Sequence, residues 1–103
     1  MWNTYGFKFD SLNGLARILE EVLQIHWTPR ESSFSGEYFL SGESFEELIR
    51  LQHNVYELEG WSFEPDYPLL LDVDSTSQQK LEEVTRLLEE ELNLEWKLLA
   101  TGK

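Results

Sequence analysis

The 103-residue chain has no cysteine. A disulfide framework, a thiolate nucleophile and a cysteine-ligated metal are therefore excluded, and the composition fits a reducing cytosol. Histidine is scarce, with only His26 and His53, and no His-x-x-x-His spacing occurs. Base is scarce as well: 8 Lys and Arg stand against 20 Asp and Glu, giving a formal charge of −12. Such a surface is repelled by nucleic acid and by anionic lipid, which leaves proteins, above all basic ones, as the expected partners. No run approaches the roughly 18 apolar residues that a membrane helix needs. The start Met1-Trp2-Asn3-Thr4-Tyr5 lacks the basic and apolar segments of a signal peptide, so a cytoplasmic protein is expected.

What is present is a hydrophobic fraction of 41% and an aromatic fraction of 14%, too rich for a disordered chain. The length suits one domain over residues 1–103. Charge is distributed unevenly. Residues 31–74 hold Glu31, Glu37, Glu43, Glu46, Glu47, Glu57, Glu59, Glu64, Asp66, Asp72 and Asp74, against Arg50 alone. The same stretch carries Phe34, Tyr38, Phe39, Phe45, Tyr56, Trp61, Phe63 and Tyr67. Solvation alone does not require one sign of charge, because mixed signs serve as well. Acids interleaved with large aromatics suit a surface that grips a positively charged partner.

Periodicity supplies the elements. Thr4 to Phe9 alternate, with Tyr5, Phe7 and Phe9 on one face of a strand. Asp10 and Ser11 are placed to cap a helix whose stripe is Leu12, Leu15, Ile18, Leu19, Val22 and Leu23, ending near Gln24. Residues 25–35 read as a short extended piece and a turn around Pro29. Gly36–Ser41 and Phe45–Leu51 read as two strands joined by a turn at Ser41-Gly42-Glu43-Ser44. Residues 52–66, with Gly60, Trp61 and Pro65, read as a long irregular loop, a common place for function. Pro68–Val73 suits a buried central strand. A second helix opens at 74–77, with Thr76 and Gln79 matching a capping box, and buries Leu81, Val84, Leu87, Leu88 and Leu92. Leu94–Leu99 closes the chain as a strand. The order β-α-β-β-β-α-β predicts an α+β fold: a mostly antiparallel sheet of about five strands with two helices on one face. The other face, or the edge and loops, is then left to display the acidic and aromatic residues.

Chemistry-bearing alternatives are weaker. His26 or His53 with Asp72 is a conceivable metal or acid–base set, but no spacing supports it. Asp72 and Asp74 share one side of a strand end, yet the calcium-loop pattern is missing, and Asp74 reads as part of the turn before the second helix. Ser32, Ser33 and Ser35 lack a nucleophile elbow. No catalytic residue, metal or cofactor is expected.

The segment Arg30-Glu31-Ser32-Ser33-Phe34-Ser35-Gly36-Glu37-Tyr38-Phe39 resembles a signature of small bacterial immunity proteins, which neutralise polymorphic or contact-dependent growth inhibition toxins. There a helix packed on the sheet leads through a serine- and glycine-containing turn into an aromatic strand. A second strand follows and ends near Asn, here Leu51-Gln52-His53-Asn54. The doubled glycine of such turns is Ser35-Gly36 in this chain. The resemblance runs over residues 12–73 and implies a cytosolic antitoxin that occludes the active site of one basic toxin domain, often a nuclease. Glu37, Glu43, Glu46, Glu57, Glu59, Trp61, Glu64 and Asp66 are then the expected partner contacts. The alternatives are an acidic regulator or adaptor that mimics nucleic acid, and a small metal-binding enzyme.

Overall fold

The computed structural model describes residues 1–32, 36–44, 47–54 and 66–102, and of Ser32, Glu43 and Ser44 the backbone alone. The described elements run β1 (Trp2–Phe7), α1 (Leu12–Leu23), β2 (Thr28–Ser32), β3 (Gly36–Ser44), β4 (Glu47–His53), β5 (Leu69–Ser75), α2 (Gln78–Glu91) and β6 (Trp96–Gly102). The strands form one sheet in the order β2-β3-β4-β5-β1-β6, and every pairing is antiparallel. The protein is thus α+β, with six strands where the sequence suggested about five. The added strand is β2, read as an irregular piece because it contains Pro29. On an edge strand the missing N–H need not face a neighbour, so proline is tolerated there.

Strand alternation decides where the core lies. Tyr5 and Phe7 of β1, Ile49 and Leu51 of β4, and Leu69, Leu71 and Val73 of β5 point to one face and are buried there. They meet Leu12, Leu15, Leu19 and Leu23 of α1 and Leu81, Val84 and Leu88 of α2 in a single cluster, so both helices cover that face. Each such side chain contributes about 1.5–3 kcal/mol on burial. Polar atoms inside the layer are matched. The Tyr5 hydroxyl lies 2.7 Å from the Thr85 hydroxyl and accepts from Asn3 Nδ2 at 3.0 Å, tying α2 to β1. The Trp27 indole N–H donates to the Ala16 carbonyl at 2.8 Å and ties the entry to β2 to α1.

Helix ends follow local chemistry. Ser11 Oγ accepts from the Gly14 N–H at 3.0 Å, and α1 ends at Gln24, both as expected from sequence; Gln24 itself takes the left-handed conformation, at φ 55°. The cap of α2 is Ser77, which accepts from the Lys80 N–H at 3.3 Å, and not Thr76. Asp74 accordingly belongs to β5 and not to the capping turn. The expected turn at Ser41–Ser44 is also corrected, because these residues continue β3. The β3–β4 register shifts between Ser41 and Ser44, and Gly42 sits at φ +75° against the Glu47 carbonyl. A glycine-centred bulge supplied the local signal that reads as a turn in sequence. Phe45 lies outside the described residues, and β4 runs on past Leu51 to His53. The closing strand starts at Trp96 and reaches Gly102.

A candidate partner-binding surface

Because β2, β3, β4 and β5 are neighbours both in sequence and in space, the described strands of the acidic middle lie side by side in the sheet. Within it, register separates the residues by face. Phe39 packs towards the helices, and Glu37, two residues earlier, shares its side. Glu37 stands directly across the ladder from Glu31, and neither is buried. Two like charges in that position are destabilising in isolation. No base among the described residues pairs with either one.

A groove of about 460 Å³ opens between α1 and this hairpin, lined by Asn13, Pro29, Arg30, Glu31, Glu37, Tyr38 and Phe39, so that one guanidinium stands beside the two carboxylates. Trp27 shapes it. Its ring lies 6.2 Å from that of Phe39, and its backbone N–H reaches Glu20 Oε2 at 3.3 Å. The result is an apolar floor of Pro29 and Phe39 beneath two carboxylates that have no ion-pair partner among the described residues. That chemistry accommodates a lysine or arginine side chain: the floor takes the methylenes and the carboxylates take the charge.

Asp66 is exposed in the turn that leads into β5. Leu69 pairs with His53, and Gln52 with Tyr38, so Asp66 and Glu37 stand at the same end of the sheet. Glu43 sits on the other side of the bulge, at the opposite end. The structure therefore places Glu37 and Asp66 at one end and separates Glu43 from them. Glu46, Glu57, Glu59, Trp61 and Glu64 lie outside the described residues. The connection that carries the last four leaves and rejoins the sheet at the Glu37 end, through Asn54 and Asp66.

Asn54 is the residue that sequence reasoning left without a role. It is buried at 2% exposure; its backbone N–H donates to the Pro68 carbonyl at 2.9 Å and its Nδ2 to the Tyr67 carbonyl at 2.8 Å. It staples the two ends of the acidic connection. Nearby, Lys8 bridges Glu95 at 2.8 Å and lies 5.4 Å from the Tyr67 ring centroid. The hydrogen bond to Glu95, then its charge, holds the Lys8 ammonium above its ordinary pKa, and Asp66 adds to this.

The face of the sheet turned away from the helices differs from the expectation. Its strands display aromatics, Trp2 and Tyr38, but the described acids they carry there are Asp72 and Asp74, beside Arg30, Arg50 and Lys97, and Leu70 on the same face is buried. Acid dominates the helix layer instead: Glu20, Glu21, Glu82, Glu83, Glu89, Glu90 and Glu91 stand against Arg17, Lys80 and Arg86. Glu47 on that side is bridged to Lys80 at 3.3 Å. The histidines do not converge on Asp72. His26 is exposed, 4.0 Å from Glu20, and His53 belongs to the helix-facing register. No cluster able to hold a metal occurs among the described residues. No described helix is long and apolar enough to cross a membrane.

No protein-family profile matches the chain, and no curated protein matches it in sequence.

Proposed function

We propose that this protein is a cytoplasmic immunity protein that binds one basic toxin domain, a nuclease, and occludes its active site. The observation that carries the reading is the Glu31–Glu37 couple, without an ion-pair partner among the described residues, over the groove floored by Pro29 and Phe39, at the sheet end from which the acidic connection departs. A nuclease needs a positive surface to hold phosphates. Carboxylates set on a rigid sheet edge compete for that surface, and opposed charge speeds capture. A fold that leaves like charges opposed on an edge gives up stability, which accords with selection for contact with a cation.

The test uses the whole chain as bait in its source cell at low salt, followed by mass spectrometry and a nuclease assay on what is retained. Recovery of one basic domain, released as salt rises and inhibited in stoichiometric amount by the bait, is the expected result. A retained housekeeping protein would shift the reading to an acidic regulator. Capture that survives reversal of Glu37, Glu57 and Glu59 together, with an unchanged salt slope, would remove these residues from the interface.

A further inference from the structure

We propose that Asn13-Gly14 is a site of spontaneous deamidation, held in check by the Ser11 cap of α1, and that the reaction puts a new carboxylate into the groove between α1 and the β2–β3 hairpin. This goes beyond the partner reading and does not depend on it, because the chemistry lies wholly within this chain.

Sequence and exposure single out the same site. The chain has four asparagines, followed in turn by Thr4, Gly14, Val55 and Leu94. An asparagine cyclises when the backbone nitrogen of the next residue reaches its side-chain carbonyl carbon, and a side chain on that next residue hinders the approach. Gly14 has none. Asn3 and Asn54 are buried, at 8% and 2% exposure, and both are hydrogen-bonded through their side chains. Asn93 is exposed but precedes leucine. Asn13 is exposed, and its side chain has no hydrogen-bond partner among the described residues.

The reaction balances with water as the only co-reactant. The Gly14 nitrogen gives its proton to solvent and attacks Cγ of Asn13. The side-chain nitrogen takes up a proton and leaves as ammonia, and a five-membered imide closes. Water then opens the ring at either carbonyl, giving aspartate or isoaspartate. A neutral amide is thereby exchanged for a carboxylate.

The fold restrains the first step. The Gly14 N–H, which must be free to lose its proton, donates to Ser11 Oγ at 3.0 Å. The Leu15 N–H donates to the Ser11 carbonyl at 2.9 Å, which holds Asn13 in the first helical turn. Ring closure needs Asn13 to leave that helical conformation. The reaction therefore waits for the first turn to open, and helix ends are where opening costs least. Glycine and cap also belong together. A Cβ at position 14 would stand 3.0 Å from Ser11 Oγ and 3.2 Å from Phe9 Cε2, so the residue that makes the site reactive is one that the capped turn favours.

The consequence falls on the groove. Asn13 lines it beside Glu31 and Glu37, and lines the adjoining cavity of about 280 Å³ beside Glu20. Aspartate at position 13 suits the helix, because α1 has no acid in its first turn and a helix N-terminus favours one. Isoaspartate adds a methylene to the backbone and opens the cap. Either product leaves a lasting negative charge at the groove.

The whole chain is incubated at mildly alkaline pH, and each asparagine is followed by peptide mass spectrometry. Asn13 should gain one mass unit faster than Asn3, Asn54 or Asn93, and more slowly in the folded chain than in urea. Ser11→Ala should speed the reaction at Asn13 roughly fivefold and leave the other three rates unchanged, since loss of a serine cap shifts local opening by about that factor. Ser11→Thr keeps an acceptor oxygen and should stay closer to wild type than to Ser11→Ala. Asn13→Gln should remove the main acidic species on ion exchange. Asn13 reacting no faster than Asn93, or equally fast folded and in urea, overturns the proposal. So does a Ser11→Ala chain with an unchanged rate at Asn13, or one in which all four rates rise together, which would assign the effect to global unfolding and not to the cap.

Discussion

Asp72 faces Arg50 across the β4–β5 ladder but gives its carboxylate to neutral donors, accepting from Thr4 Oγ1 and from Gln52 Nε2, each at 2.6 Å. Three strands are thereby joined through one side chain on the face that no helix covers. The arrangement fixes β5 between its neighbours β4 and β1 without an ion pair.

Asp72→Asn tests that role. Asparagine keeps one acceptor oxygen and adds a donor, so either Thr4 or Gln52 loses its acceptor. In this half-buried position the expected loss is about 1–3 kcal/mol. It should appear in urea denaturation as a lower midpoint with an unchanged slope. A midpoint equal to wild type would show that water replaces the bond at no penalty and that Asp72 does not hold the sheet together.

Asn54→Ala should act on two levels. The side chain closes the base of the connection between β4 and β5, and its removal leaves the Tyr67 carbonyl without that donor. A loss of about 1–3 kcal/mol in global stability is expected. Hydrogen exchange should also rise at the amides from 55 to 68 more than elsewhere, because the staple acts locally. Under the proposed function, partner affinity falls with it even though Asn54 is buried and touches no partner. Uniform exchange across the chain, at unchanged affinity, would assign Asn54 to general stability alone.

Much of this fold was legible because hydrophobic period and capping agreed. The α1 stripe, the Ser11 cap, the Gln24 end and the buried run before α2 all follow from side-chain spacing. Three features were hidden for identifiable reasons. Thr28–Ser32 carries proline and no alternation, and among the described residues pairs on one side only, so its propensity is a poor guide. Gly42 produces the same local signal in a bulge as in a turn. Thr76 and Ser77 are both competent caps one residue apart, within the usual ambiguity of a helix boundary. The candidate site was legible as charge but not as position. Which face an acid occupies depends on register, and a slip of one residue exchanges the faces. Glu37 stood out as a candidate contact from its neighbours in the chain, but its opposition to Glu31 emerges only from the β2–β3 pairing.

Gly42→Ala probes the bulge. The residue holds φ at +75°, and an added Cβ would stand 2.9 Å from the Glu47 carbonyl oxygen, so both conformation and space oppose a side chain. A destabilisation exceeding about 1 kcal/mol is expected, against the stabilisation that Gly→Ala brings where φ is ordinary. Thermal unfolding checks the sign. A higher midpoint would mean that the β3 arm relaxes to a regular ladder without loss.

Glu37→Lys separates folding from binding, because the two effects have opposite signs. In the free protein the change replaces a like-charge pair across the β2–β3 ladder with an opposite-charge pair, in which Glu31 faces the new ammonium at a solvent-accessible position. Such cross-strand pairs contribute roughly 0.2–1 kcal/mol, so the variant should unfold at a slightly higher urea concentration than wild type. In the complex the same change sets a cation where the proposed toxin surface is basic. Affinity should fall at least about tenfold, mostly through slower association, and the dependence of affinity on salt should flatten. Stability and binding are measured on one sample, which excludes misfolding as the cause of any loss. A variant that is more stable and binds as tightly as wild type would take the Glu31–Glu37 groove out of the interface. A variant that is less stable would mean that the two carboxylates are held apart in solution and do not repel.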